Sequence, residues 1–141
     1  NIQIMSKDWT QDIHEMHNHY GIHEAMKKLS KQDLRAFLRF RINFLQEELD
    51  ELKEATKVNL PIDSEETVDA LIDLCVVAIG TLDLFNVDAY KAWNEVLSAN
   101  MLKMVGVKET RPNPYGLPDL IKPEGWKAPN HSDNHGNVSG L

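Results

Sequence analysis

The residues most able to do chemistry are acidic and fall in two sets. Glu47, Glu48 and Glu51 lie in the run Gln46-Glu47-Glu48-Leu49-Asp50-Glu51, and Glu66, Asp69 and Asp73 follow further along. On a helix, Glu66, Asp69 and Asp73 are spaced i, i+3, i+7 and share one face. Asp73 is surrounded by Leu71, Ile72, Leu74, Cys75, Val76 and Val77. A lone ionised carboxylate in such a run costs several kcal/mol unless it is paired or bound to a metal. At about 100° per residue, Glu48 falls inside the apolar arc of Phe37, Phe44, Leu45 and Leu52, with Glu51 at its edge and Glu47 just outside. Two antiparallel helices meeting on these faces would gather up to six carboxylates. Like charges at that density cannot all ionise without cations. Hard oxygen ligands in that number suit Mg²⁺, which completes its shell with water and substrate phosphate. The plainer reading of Glu47 to Glu54 is a solvated acidic face, and Asp69 and Asp73 in an apolar helix weigh against it.

Four helical segments must position these groups. The first spans about Asp8 to Tyr20, with Trp9, Ile13, Met16 and Tyr20 at helical spacing and Gly21 as its stop. The second, about Lys31 to Thr56, has Ser30 as N-cap and a stripe of Leu34, Leu38, Ile42, Leu45, Leu49 and Leu52. The third starts near Asp63 or Ser64, where Asp63 and Glu66 suit a capping box, and ends near Phe85. It is apolar almost all round, as a centrally buried helix would be, and Gly80 on the acidic face would let another helix come close. The fourth runs from about Asp88 to Met104, with Ala89, Trp93, Val96, Leu97 and Met104 facing inward. On that face Asn100 is expected to be buried and hydrogen-bonded. Five of the six prolines lie beyond Gly106, so the rest reads as a non-helical tail. Its last residues, His131 to Leu141, have little to bury and are expected to be mobile. The expected architecture is therefore one all-α domain over residues 1–141, a four-helix bundle over about 8–106 with an extended tail over about 107–141.

Composition narrows the function classes. With 22 acidic against 15 basic residues the formal net charge is −7. A protein that grips polymeric nucleic acid by its phosphates shows the opposite balance, whereas a small phosphate compound can be held through a bridging cation. The single cysteine, Cys75, sits in an apolar run and is expected to pack as a small hydrophobe. One cysteine, no signal-peptide pattern and no apolar stretch of membrane length point to a cytoplasmic protein with no membrane partner. His14, His17, His19 and His23 cluster early, but no HExxH occurs and Gly21 should break the helix between His19 and His23, so no zinc role follows from their spacing. His17 is expected to pack or to lie beside substrate. There is no P-loop and no GxGxxG, and a di-iron bundle would need ExxH pairs that are absent. A non-catalytic helical protein with an acidic partner-binding face is the alternative, and it predicts no dependence on Mg²⁺.

Glu47-Glu48-x-x-Glu51 followed by acids on the next helix resembles the MazG-like all-α nucleoside triphosphate pyrophosphohydrolases, whose pattern is EExxE, a spacer, then ExxD. Ile13 to His17 is similar to the family's first helix, Asp73 with Gly80 to its third, and Ala99-Asn100-x-x-Lys103 to its fourth. Lys122-Pro123-Glu124-Gly125-Trp126 is similar to a tail segment of the subgroup related to dimeric dUTPases. A literal ExxD is present as Glu66-x-x-Asp69, but the register of Gly80 and Asn100 makes Asp73 the family's aspartate, with Ala70 where its glutamate stands and Asp69 able to replace it. The resemblance implies Mg²⁺-dependent hydrolysis of a (deoxy)nucleoside triphosphate to monophosphate and pyrophosphate, a house-cleaning of the nucleotide pool, with Mn²⁺ able to substitute. It implies Glu48, Glu51, Asp69 and Asp73 as metal ligands, with Glu66 a further candidate, and Glu47 as the base for the attacking water. Asn100, Lys103, Lys122 and Trp126 would contact substrate, with Arg111 and Lys127 beside them. The apolar third helix leads to an expected homodimer or dimer of dimers.

Overall fold

The computed structural model describes residues 5–110 and 115–141, and Arg111 lies outside them. Among the described residues five α-helices and one two-stranded ribbon make an all-α fold. The chain forms two compact units, Asn1–Ala89 with Gly136–Leu141, and Tyr90–His135.

The first unit holds α1 (Trp9–His19), α2 (Ile22–Met26), α3 (Lys31–Ala55) and α4 (Ser64–Leu84). Short polar side chains start the three longer ones. Asp8 accepts the Gln11 amide at 2.9 Å, Ser30 the Asp33 amide at 3.1 Å, and Asp63 the Glu66 amide at 3.0 Å. Each satisfies a donor that the helix itself leaves orphaned. Gly21, with φ of +69°, ends α1 as expected, but the chain then re-enters a one-turn helix, α2, that the sequence reading did not include. The left-handed residue turns the backbone so that α1 and α2 both lie against α4.

Helices α3 and α4 form an antiparallel hairpin, closed where the Asp63 amide donates to the Ala55 carbonyl at 2.9 Å. Contacts along their seam rise in number on one helix as they fall on the other. The ring centroids of Phe37 and Phe85 are 6.1 Å apart, and Arg41 reaches Thr81 and Val77. Ala55 and Ala70 are buried in this unit, and Ile13, Leu84 and Phe85 complete its core. The expectation of a fully enclosed third helix does not hold within one chain. Val68, Leu71, Ile72 and Cys75 on α4 are exposed, because α1, α2 and α3 cover only part of its circumference. Beyond α4, Asn86 takes a left-handed φ of +57°, and the Asn137 amide donates to the Phe85 carbonyl at 2.6 Å. The end of the chain, expected to be mobile, is thus tied to the helix terminus, with a 3₁₀ turn at Gly136–Val138.

The second unit holds most of α5 (Ala89–Met101), then β1 (Met104–Gly106) and β2 (Asp119–Ile121). The helix stops three residues before the expected Met104, which instead pairs with Ile121 in an antiparallel ribbon. The Trp126 indole donates to the Ala99 carbonyl at 2.7 Å, and Lys91 bonds Asp133 at 2.5 Å. Trp93, Val96, Leu97 and Met104 were expected to face inward, but all are exposed. On α5 the buried side is marked by Ala99, so the helix is wetter than its hydrophobic spacing suggests.

Phe85 is fully buried at the open end of the hairpin, opposite the Ala55–Asp63 closure and against Phe37. Phe85→Ala is expected to lower unfolding stability by about 3–5 kcal/mol and Phe85→Leu by clearly less, as measured by urea denaturation.

Candidate active site

The α3–α4 seam brings the two acidic sets together. Glu48 is half-buried, and its Oε2 is fully buried with no hydrogen-bond partner. A buried acceptor left without a donor is costly. Burial first, then the charges of Glu51, Asp73 and Asp69, push the Glu48 carboxyl up to about 7. Asp73 is half-buried and also raised, by burial and then by Asp69 and Glu51. Glu66 is raised by partial desolvation and then by Glu51, Asp69, Asp63 and Asp73. These shifts trace the neighbourhood: Asp73, Glu51 and Asp69 act on Glu48, while Glu66 sits at the Glu51–Asp69 end.

Of the acids singled out from sequence, Glu48, Glu51, Asp69, Asp73 and Glu66 therefore form one electrostatic group. Glu47 is exposed on the flank, as its helical phase requires. Asp69 is also exposed, contrary to the expectation that no solvent reaches it, because α4 is open on that side. The donor set is all carboxylate oxygen, one atom of it buried and unpartnered, and it fits a hard divalent cation that retains water.

The candidates of the second unit form their own group. The Lys103 and Lys122 ammonium groups lie 5.4 and 5.0 Å from the centroid of the Trp126 ring. Such cation–π contacts keep two positive charges beside an aromatic face. Asn100 is exposed, which corrects the expectation of a buried amide. Lys127 is exposed as well.

Two features escaped the sequence reading. Arg41 shares a helical face with Glu48, one heptad away. Its guanidinium donates to the Thr81 hydroxyl at 3.0 Å and the Val77 carbonyl at 3.1 Å, and burial lowers its pKa. Gly80 allows this approach, since a Cβ there would stand 2.8 Å from Arg41 Nη2 and 3.3 Å from His17 Cε1. What stands over Gly80 is thus a pair of side chains from neighbouring helices, where the close approach of a helix itself was expected. The second feature is Asp83, on which three histidines converge. His14 Nδ1 lies 2.8 Å from Oδ1, and His17 Nδ1 and His23 Nε2 each lie 2.7 Å from Oδ2. Burial works to raise the Asp83 carboxyl, but the three imidazole hydrogen bonds outweigh it and hold it below the ordinary aspartate range. Nothing in the linear spacing of the histidines signals this grouping, because the turn at Gly21 and the aspartate sixty residues beyond His23 create it.

A family model described as phosphoribosyl-ATP pyrophosphohydrolase matches residues 21–100. The match takes in α2, α3 and α4 and reaches Asn100 on α5. No curated protein and no solved structure matches the chain. Among the described residues no helix is long and apolar enough to cross a membrane.

A carboxyl whose value is raised in the fold opposes folding once the unfolded chain ionises. For Glu48 the metal-free protein should therefore lose stability as pH rises from about 4.5 toward about 7, then level off. Thermal melts in EDTA across this range should show that decline, and saturating Mg²⁺ should flatten it by favouring the ionised cluster. A melting temperature that is independent of pH in EDTA would contradict the crowding of these acids.

Proposed function

The chain belongs to the phosphoribosyl-ATP pyrophosphohydrolase family, hydrolases of a phosphoric anhydride bond, and from that premise we propose that it cleaves a nucleoside triphosphate to the monophosphate and pyrophosphate with Mg²⁺. The observation that carries this reading is Glu48, whose buried Oε2 lacks a donor amid Glu51, Asp69 and Asp73. Glu48, Glu51, Asp69 and Asp73 would hold Mg²⁺, which supplies positive charge to offset that developing on the phosphate oxygens. Glu66, raised by Glu51 and Asp69 but not among the groups that raise Glu48, is an outer candidate.

Glu47, exposed beside the ligands, orients a water and takes its proton as the water oxygen bonds to the α-phosphorus. The bond from that phosphorus to the α,β-bridging oxygen breaks, and pyrophosphate departs with the bridging oxygen. Arg41, on the same face as Glu48, is the cation of the seam best suited to a phosphate oxygen. Within the second unit, Lys103 and Lys122 beside the Trp126 ring, and the exposed Asn100 amide, are proposed as substrate contacts in their own right. The exposed apolar side chains of α4 and α5, including Val68, Leu71, Ile72 and Trp93, support assembly into a homodimer or a dimer of dimers. Hydrolysis of unwanted nucleotides in the cytoplasm is the role proposed for this chemistry.

The purified chain should release pyrophosphate, not orthophosphate, from at least one member of a panel of ribo- and deoxyribonucleoside triphosphates and phosphoribosyl-ATP, and EDTA should abolish the reaction. Glu48→Gln should lose both metal affinity and turnover, whereas Glu47→Gln should keep Mg²⁺ binding and lose roughly 10²-fold or more in kcat. Orthophosphate as sole product, or turnover in EDTA, would overturn the assignment.

Charge-neutral variants separate the two acidic registers on α4. Asp73→Asn should leave the metal-free protein at least as stable as the parent, because it removes one like charge, yet abolish Mg²⁺-dependent stabilisation and turnover. Asp69→Asn should behave alike, and Glu66→Gln should change little. The reverse pattern in calorimetry and activity would favour Glu66 with Asp69 as the ligand pair.

A further inference from the structure

At the far end of α4 from the acidic seam lies a second group of metal-ligating side chains. Asp83 is ten residues beyond Asp73, about 15 Å along an α-helix, so the two carboxylates serve different sites. His14 comes from α1 and His23 from α2, and one potential ligand atom from each of His14, His23 and Asp83 lies within 4.8 Å of the others. We propose that His14, His23 and Asp83 form a binding site for a divalent transition metal of the zinc class, with His17 as the residue that positions the carboxylate.

The donor types make the first argument. Two imidazole nitrogens and one carboxylate oxygen suit Zn²⁺ and its neighbours, whereas Mg²⁺ selects oxygen. The all-carboxylate seam and the histidine group therefore select different ions. Geometry makes the second. The imidazole nitrogens now hydrogen-bond the carboxylate at 2.7–2.8 Å. Ligands around a tetrahedral metal with bonds near 2.0–2.1 Å stand about 3.3 Å apart, so seating an ion needs each ring to draw back from the carboxylate by about half an ångström, while the widest-spaced ligand atoms, now within 4.8 Å, draw together. His14 is 44% exposed and free to make that adjustment, and its open side leaves room for a fourth ligand from solvent.

The third argument is the surrounding support. His17 is 4% exposed and bonds Asp83 Oδ2 at 2.7 Å from the buried side. A fixed donor to a ligand carboxylate is the arrangement that holds metal ligands in place. Gly80 makes room for it, since a Cβ there would press on the His17 ring. The helix end supplies the fourth. Asp83 sits in the last turn of α4, which carries no basic residue, so its carboxylate adds to the negative end of the helix dipole. A cation bound there neutralises both.

The test uses the full chain, stripped with chelator and titrated with Co²⁺ in excess Mg²⁺, which occupies oxygen-only sites. One equivalent of Co²⁺ should give the intense visible absorption of four-coordinate cobalt, and Zn²⁺ should bleach it. His14→Ala and His23→Ala should lose the band while retaining helical circular dichroism, and His17→Ala should weaken Co²⁺ affinity about 10- to 100-fold. Glu48→Gln should keep the band. The proposal is overturned by the absence of an intense band in the parent, by its persistence in both His14→Ala and His23→Ala, or by its loss in Glu48→Gln.

Discussion

The arrangement of the first unit depends on an unfavourable contact, the crowding of like-charged carboxylates around Glu48. A pair of unit charges a few ångströms apart near a protein surface repels by a few kcal/mol. Burying a large apolar side chain returns about 1.5–3 kcal/mol. Holding Glu48 against Glu51, Asp69 and Asp73 thus demands packing elsewhere on the same hairpin. Phe37, Phe85, Leu84 and Ala70 provide it, on a seam whose Ala70 lets the helices close. The cost stays local because the rest of the cluster is half-open: Asp69 and Glu51 reach solvent, while Glu48 Oε2 is sealed. A partly protonated, partly solvated acid cluster is a state that a hard cation can improve.

What was legible in the sequence follows from which signals are local. The caps at Ser30 and Asp63 each act over three residues, and both helices begin where those residues place them. The phase of Glu48 within an apolar arc is set by one helix, so its burial could be read before its partners were known. The solvent side of α4 could not, because hydrophobic periodicity records which residues avoid water and says nothing about what covers them. Cys75, Leu71 and Ile72 are exposed in the single chain for that reason, and Trp93 and Leu97 on α5 likewise.

Interactions between distant parts of the chain were the least visible. His23 reaches Asp83 only because Gly21 adopts a left-handed φ and reverses the chain after α1. Read linearly, Gly21 is a helix stop that separates His19 from His23, and the same stop is what brings His23 back beside His14, with ring centroids 4.8 Å apart. Arg41 was hidden for a related reason. An arginine amid Arg35 and Arg39 on a polar-looking stretch reads as surface, yet the space above Gly80 lets its guanidinium lie across α4.

Helix α4 then shows how one residue type acquires opposite properties within a single element. Asp73 and Asp83 are both aspartates on the same helix, and burial works to raise both. At Asp73 the facing groups are carboxylates, which add to the burial and leave the acid raised. At Asp83 they are three imidazole donors, which reverse it and leave the acid lowered. The consequence for stability has opposite sign at the two ends. Ionisation of Asp73 works against the metal-free fold as pH rises, whereas Asp83 supports the fold above its unfolded value and loses that support only as pH falls through its depressed folded value. A chain with net charge −7 carries a strained anionic seam at the start of α4, while the other end is locked by three imidazole hydrogen bonds. The element that brings the acids together is anchored away from them.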